Sequence, residues 1–143
     1  MSEDKILSPI HELPVRVYYE DTDAGGVVYH ASYIRYAERG RTEMMRSHGF
    51  SHADTLAKTG IGFAVVSLKV DYRQPARLDE LLTVKTHIAR LGGASMDMRQ
   101  VIYRKTEIIT DMTVTLVCID PSFKAVRLPQ AVRDLALLPA APA

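Results

Sequence analysis

Residues 31–48, with the sequence ASYIRYAERGRTEMMRSH, form the longest amphipathic helix pattern of the chain. Small and apolar residues recur there at steps of three and four, which places them on one face of an α-helix; they are Tyr33, Tyr36, Ala37, Gly40 and Met44. The pair His48-Gly49 predicts the end of the helix, because glycine readily takes the left-handed conformation that terminates helices. Gly40 in mid-helix is unfavourable by about 1 kcal/mol relative to alanine, so we expect a close contact that offsets this cost.

The segments on either side of this helix predict β-strands. Residues 15–19 alternate between apolar and polar side chains, and four more alternating segments follow residue 62. Turn-forming residues separate the later segments: Gln74-Pro75-Ala76, Gly92-Gly93 and Lys105-Thr106-Glu107. Consecutive strands with short turns favour an antiparallel meander, whose apolar face the long helix would cover.

We therefore predict an α+β fold in which a curved, five-stranded antiparallel sheet wraps around one long central helix. After the last clear strand, the pattern is compatible with a short strand near 123–127 and a helix near 129–137. We expect one domain over residues 1–143, with flexible ends at 1–12 and 138–143.

Composition is typical of a globular domain with a core of its own. The 143 residues are 47% hydrophobic and 24% charged, so the chain can bury a core without a metal or a disulfide. Its net charge of +1 is too small for a nucleic-acid-binding surface field. No uncharged apolar run reaches the roughly 20 residues of a membrane-spanning helix, and no secretory signal is recognisable. With the single cysteine Cys118, these features predict a cytoplasmic protein, at most peripheral at the inner membrane.

The loop before the helix, residues 20–30 with the sequence EDTDAGGVVYH, is the densest cluster of unusual residues. A solubilising turn with a capping aspartate would explain its three acids and its glycine pair. The alternative is a reactive site, because a helix start has unpaired N–H groups and the positive end of the helix dipole. The loop begins like a calcium-binding loop, but Ser32 stands where a bidentate glutamate is required, so we expect no metal.

Residues 18–46, YYEDTDAGGVVYHASYIRYAERGRTEMMR, resemble the hotdog-fold thioesterases of the 4-hydroxybenzoyl-CoA thioesterase type. The similarity is greatest to the acyl-CoA thioesterases encoded with the Tol–Pal system of Gram-negative bacteria. Its most specific part is DTDAGGVVYHASY followed by the ERxRTE pattern, and VDYRQPARLDE at 70–80 matches as well. The resemblance extends from about Leu13 to Leu128, and Gly40 departs from the alanine expected at that position.

This resemblance implies hydrolysis of acyl-CoA thioesters, and also of acyl carrier protein thioesters, to a free acid and a thiol. Asp23 matches the catalytic carboxylate, as nucleophile or general base, while Asp21 is expected to be structural. His30 matches the residue whose backbone N–H polarises the thioester carbonyl. Tyr29 and Gly26 are expected to contact the substrate. No cofactor is expected, because water is the second substrate.

The family further implies a homodimer or homotetramer that covers the open edges of the sheet. Two other functions stay compatible with the sequence: an acyl-thioester hydratase or dehydratase that uses His30, and a non-catalytic acyl-CoA-binding or scaffold protein. Another branch of hotdog thioesterases uses a helix carboxylate, which here would be Glu38, although pairing with Arg35 or Arg41 also explains that residue. Three arginines near strand ends are candidates for contact with CoA phosphates: Arg73, Arg77 and Arg90.

Overall fold

The computed structural model describes residues 5–138. Its elements are β1 (His11–Arg16), α1 (His30–Ser47), α2 (His52–Thr59), β2 (Gly62–Tyr72), β3 (Leu81–Leu91), β4 (Ser95–Arg104), β5 (Glu107–Ile119) and α3 (Gln130–Leu135). One turn of 3-10 helix, Tyr19–Asp21, lies between β1 and α1. The strands form one five-stranded antiparallel sheet, which confirms the predicted α+β fold.

The strand order in the sheet is β1-β3-β4-β5-β2, which differs from the expected meander. β2 does not pair with the strand that follows it but crosses to β5, in a register that runs from Gly62 opposite Ile119 to Tyr72 opposite Thr110. The connection from β2 to β3 begins at Arg73 and Gln74, whose N–H groups both donate to Ile109 O. Alternation identifies a segment as a strand but carries no information about which strand lies beside it, so the meander prediction was wrong for β2.

Gly40 lets α1 lie directly on the sheet. A Cβ atom at this position would stand 2.7 Å from Val84 Cγ1 and 3.2 Å from both Gln100 Nε2 and Thr86 Oγ1. The fully buried Gln100 amide donates to Ala37 O at 2.6 Å and to Thr86 Oγ1 at 2.9 Å, so the buried amide is satisfied. The close contact that we expected at Gly40 is therefore confirmed.

The first half and the second half of α1 pack into separate parts of the core. Around the first half, Tyr33, Tyr36 and Ala37 pack with side chains of β1, β3, β4 and β5. Around the second half, Met44 and Met45 pack with β3, β4, β5 and α3. The first of these regions lies beneath the loop that precedes α1, because Val28 at the end of that loop belongs to it.

The N-terminal part of the fold begins earlier than expected. β1 covers His11–Arg16 rather than 15–19, because Val17 is buried but the chain then turns into the 3-10 helix and exposes Tyr19. The Ser8 hydroxyl accepts a hydrogen bond from the Ile88 N–H at 2.9 Å. His11 and Glu12, within the expected flexible start at 1–12, thus lie in β1, and residues 1–4 and 139–143 lie outside the described residues. The flexibility of both ends stays a prediction.

Helix α1, His30–Ser47, agrees with the prediction for 31–48, and Gly49 has the expected positive φ of 85°. α2 was not predicted, although Ser51 accepts a hydrogen bond from the Asp54 N–H as an N-cap and Gly60 ends the helix with φ 73°. At 123–127 the structure has only an isolated bridge between Ile119 and Ala125, and α3 is shorter than the expected 129–137.

Candidate active site

The loop between the 3-10 helix and α1 is a hydrogen-bonded turn. The Asp23 N–H donates to Val27 O at 2.8 Å, the Gly26 N–H donates to Asp23 O at 3.1 Å, and Thr22 pairs with Val28. Gly26 has φ 80°, a conformation that glycine adopts without the steric cost of a Cβ. The sequence DTDAGGV therefore forms a rigid turn with Asp23 and Gly26 at its tip.

Backbone contacts fix this turn against the rest of the fold. The Val28 N–H donates to Ala76 O at 2.8 Å, and Val27 forms a bridge with Arg77. The Tyr29 N–H donates to Asp21 O, also at 2.8 Å. The turn and the start of α1 are thus held at both ends by the fold.

The Asp23 carboxylate is exposed at the tip of the turn. Its Oδ1 atom accepts a hydrogen bond from the Gly25 N–H at 2.8 Å. Within residues 5–138 no other donor is bonded to this carboxylate, so Oδ2 is available to a substrate or a water molecule. A carboxylate with one fixed and one available oxygen suits either nucleophilic attack or proton abstraction.

The first turn of α1 carries backbone donors without acceptors. The Tyr29 N–H is bonded to Asp21 O and the Ser32 N–H to Tyr29 O at 2.8 Å. The N–H groups of His30 and Ala31 have no acceptor in the described part of the chain. Together with the helix dipole, such donors favour a negatively charged oxygen.

A cavity of about 310 Å³ opens beside this helix start. It is lined by Val28, His30, Tyr33, Tyr72, Arg73, Gln74 and Pro75. The His30 ring packs against the Tyr29 ring, with centroids 4.5 Å apart, and edge-on to the Tyr72 ring at 6.4 Å. The helix donors therefore lie next to a partly aromatic concave surface.

The phenols of this region are protonated at neutral pH, and their pKa values are raised further. Burial raises the pKa of Tyr72 and of Tyr33, whose hydroxyl accepts a hydrogen bond from the Ala76 N–H at 3.0 Å. Burial also raises the pKa of Tyr36, and the nearby Asp21 carboxylate raises it further. These hydroxyl groups are therefore neutral hydrogen-bonding groups at neutral pH.

The structure brings the predicted residues together in two pairs. His30 lines the cavity and contacts Tyr29, whose side chain is 45% exposed, whereas Asp23 and Gly26 form the tip of the turn. Asp23 is not among the residues that line the cavity. Glu38 does not line it either, but contributes to two other cavities along α1.

The three candidate arginines differ in their surroundings. Arg90 is held by both oxygens of Asp97, at 2.9 and 3.2 Å, and Arg77 is exposed. Only Arg73 lines the His30 cavity. The sequence analysis did not identify Tyr72 as a site residue, because alternation places it only on an apolar strand face. Its position at the end of a strand, just before Gln74-Pro75, is the signal that could have identified it.

Comparison with known proteins agrees with this structure. Residues 25–109 match the family model described as Thioesterase superfamily. The acyl-CoA thioester hydrolase YbgC of Escherichia coli O6:H1 is 47% identical over 109 residues, which cover 76% of this chain and 81% of that protein. A probable thioesterase from Bartonella henselae superposes with a TM-score of 0.81 at 37% identity, covering 84% of this chain and 99% of the other.

A more distant structure supports the fold alone. A mutant of 4-hydroxybenzoyl CoA thioesterase complexed with 4-hydroxybenzoyl CoA superposes with a TM-score of 0.84 at 19% identity, covering 90% of this chain and 99% of the other. The sheet and helix described above thus form the predicted hotdog fold. Because the family match covers more than half of the chain, the protein belongs to the thioesterase superfamily and is an enzyme that hydrolyses thioesters.

Proposed function

We propose that the protein hydrolyses acyl-CoA thioesters to a free acid and CoA, with the turn around Asp23 and the start of α1 as its active site. One observation carries this proposal: a carboxylate with an available oxygen stands on the same rigid turn that leads into unpaired helix donors. The name of the Escherichia coli relative, an acyl-CoA thioester hydrolase, supports the substrate class.

The start of α1 polarises the thioester carbonyl in this mechanism. The His30 N–H donates to the carbonyl oxygen of the thioester, and this bond strengthens as negative charge develops on the oxygen. The donor is held in place before the reaction, because the neighbouring Tyr29 N–H is bonded to Asp21 O. In other enzymes, loss of one such donor lowers kcat by about 10²–10³-fold.

Asp23 brings about the attack on the carbonyl carbon in one of two ways. As a nucleophile, it attacks the carbonyl carbon, the C–S bond breaks, CoA leaves as the thiolate and takes a proton from water, and water then hydrolyses the acyl–aspartyl anhydride. As a general base, it takes a proton from a water molecule that attacks the same carbon, and the C–S bond breaks in the same sense. Family resemblance favours the nucleophile.

Tyr29 and Gly26 are proposed to contact the substrate. The Tyr29 ring is partly exposed beside His30, so it offers an aromatic surface next to the reacting carbonyl. Nothing lies within 4 Å of the position that a Gly26 Cβ would occupy, so this side of the turn is open to a ligand. Thioesters of acyl carrier protein contain the same reacting bond and are a second proposed substrate.

We also propose that two copies pair along β2. This strand is at the edge of the sheet, and Val65, Val66 and Leu68 are exposed on it. A cavity of about 330 Å³ with apolar walls at Met45, Phe63 and Leu116 opens at the same edge. A second copy that continues the sheet would cover this surface, and Asp23 would face residues of the other protomer. Pairing of dimers would give the homotetramer.

Light scattering and an activity assay at matched concentrations test this assembly. We expect a dimer or tetramer at micromolar concentration, and Val66→Lys in β2 should weaken it, because a charge would enter the apolar edge. Lys69→Glu on the same strand is a matched control that changes charge at a polar position. A fully active monomer would overturn the proposed assembly.

Thiol release from a series of acyl-CoA substrates is the direct test of the function. We expect multiple turnovers and loss of turnover in Asp23→Asn. Binding without release of CoA would support the scaffold alternative, and a change in the acyl chain without thiol release would support a hydratase or dehydratase.

No helix within residues 5–138 is long and apolar enough to cross a membrane. The cytoplasmic location stays a prediction.

A further inference from the structure

Tyr72 makes a hydrogen bond that connects the end of β2 to the first turn of α1. Its hydroxyl donates to His30 O at 3.1 Å, across 42 residues of chain. The ring is 47% exposed and contacts two neighbours edge-on, His30 at 6.4 Å and Tyr33 at 5.8 Å. This side chain faces the cavity and has no role in the mechanism described above.

The position of Tyr72 is fixed by the sheet. Tyr72 pairs with Thr110 of β5, and the next two N–H groups, of Arg73 and Gln74, donate to Ile109 O at 2.9 and 3.2 Å. The hydroxyl therefore projects from a rigid strand end. Helix ends otherwise tend to fray, because their first residues make few hydrogen bonds.

Two hydrogen bonds thus flank the proposed oxyanion donor, the His30 N–H. The Tyr29 N–H is bonded to Asp21 O on one side, and His30 O is bonded to the Tyr72 hydroxyl on the other. The His30 N–H lies between these two bonds along the backbone. The peptide that carries this N–H is itself held by the Ser32 N–H, which donates to Tyr29 O at 2.8 Å, and the two flanking bonds hold the peptides on either side of it.

We propose that Tyr72 is a positioning residue for thioester hydrolysis, which holds the His30 backbone so that its N–H points at the substrate carbonyl. This inference rests on the proposed function. The hydroxyl also polarises the peptide that joins His30 to Ala31, which strengthens the adjacent Ala31 N–H as a donor. Tyr72 acts through His30 and does not itself contact the reacting atoms.

The hydroxyl is removed with least disturbance by Tyr72→Phe. We expect kcat to fall by about three- to tenfold, less than the 10²–10³-fold typical of losing an oxyanion donor itself, because the donor is misdirected rather than absent. KM should stay within about twofold, since the bond acts on the transition state more than on the bound substrate. Tyr103→Phe is the matched control, because Tyr103 lies against Lys85 and does not line the cavity.

A spectroscopic measurement separates positioning from general stability. The acyl-CoA that the wild type hydrolyses fastest, labelled with ¹³C at the thioester carbonyl, is bound to Asp23→Asn, and the C=O stretch is measured by infrared difference. We expect a shift to lower frequency on binding and a smaller shift in the Asp23→Asn, Tyr72→Phe double variant. A thermal melt of each variant shows whether folding has changed.

The outcomes distinguish this inference from the proposed function. If Asp23→Asn turns over normally, the proposed site fails. If Asp23→Asn is inactive but Tyr72→Phe keeps its kcat, or loses activity mainly through KM, the positioning role is overturned and the proposed site stands. An unchanged carbonyl frequency in the double variant would also overturn it, even if Tyr72→Phe proved less stable.

Discussion

Asp21 and Asp23 are two residues apart in the same loop, but the fold uses them differently. Asp21 Oδ2 accepts the Tyr18 N–H at 2.8 Å, and Asp21 O accepts both the Tyr29 N–H and, at 3.3 Å, the Ser32 hydroxyl. Among residues 5–138, Asp23 makes hydrogen bonds only within its own turn, and its carboxylate is bonded to Gly25 alone. Asp21 therefore joins three parts of the chain, whereas Asp23 is held in place but keeps a free oxygen.

This difference supports the proposed roles, structural for Asp21 and reactive for Asp23. Each carboxylate accepts one backbone N–H, from Tyr18 at Asp21 and from Gly25 at Asp23. The difference lies in the main-chain oxygen of Asp21, which holds the start of α1, and in exposure, since Asp21 is half-buried and Asp23 is exposed. Residue type cannot distinguish the two, because both are aspartates in a polar loop. The contacts can, and substitutions should reproduce the distinction.

The largest expected effect is that of Asp23→Asn on turnover. The asparagine keeps the shape and the bond to the Gly25 N–H but lacks the negative charge, so kcat should fall by about 10²–10⁴-fold, equivalent to roughly 3–5 kcal/mol of barrier. KM and the free energy of unfolding should change little, because the turn and the helix donors are retained. Steady-state kinetics and urea denaturation check this. Near-normal turnover of the folded variant would return Glu38 and His30 to consideration.

Oxygen-isotope labelling tests whether Asp23 acts as a nucleophile or as a general base. In a single turnover in H₂¹⁸O, a nucleophilic Asp23 transfers an unlabelled carboxylate oxygen to the product acid when water attacks the aspartyl carbonyl of the anhydride. A general base would leave all newly introduced oxygen heavy. Unlabelled product acid in the mass spectrum would therefore identify Asp23 as the nucleophile, and Asp21→Asn serves as the control because Asp21 is the other aspartate of the same loop.

The second effect in size is that of Asp21→Ala on stability. This change removes the acceptor of the Tyr18 N–H and the carboxylate near the Tyr36 phenol, so the free energy of unfolding should fall by about 1–2 kcal/mol. Turnover per folded molecule should fall less than tenfold, since the backbone bond from Tyr29 to Asp21 O is retained. Urea denaturation with parallel kinetics measures both. A loss of kcat equal to that of Asp23→Asn, with unchanged unfolding, would refute the distinction.

The smallest effect on turnover is expected for Gly26→Ala, which removes no functional group. At φ 80° an alanine Cβ is strained, which should cost about 1–2 kcal/mol of local conformational energy even though space is available around it. Because the Gly26 N–H donates to Asp23 O, the strain should displace Asp23 and reduce kcat, while the bonds of Asp21 stay intact. Gly62→Ala, also without neighbours within 4 Å and without a positive φ, is the matched control. Equal kinetics for the two variants would contradict this role for the turn.

Much of the fold and part of the site could be predicted from local sequence. The spacing of Tyr33, Ala37 and Gly40 predicted α1 and its buried face, and both were confirmed. The loop that carries Asp23 and His30 was identified by its composition and by family resemblance, and its catalytic roles stay predictions. These features depend on residues that are neighbours along the chain, so a sequence pattern records them directly.

Tertiary structure alone decided which segments meet. The pairing of β2 with β5, the approach of Val84 to Gly40 and the bond from Tyr72 to His30 O each join residues at least 38 positions apart. Periodicity indicates which face of a segment is buried. The neighbour that covers this face depends on the path that the long connections take across the sheet. The sequence by itself therefore determined a helix, a set of strands and a candidate reactive loop, whereas the packing of the sheet around α1 decided what lies beside that loop.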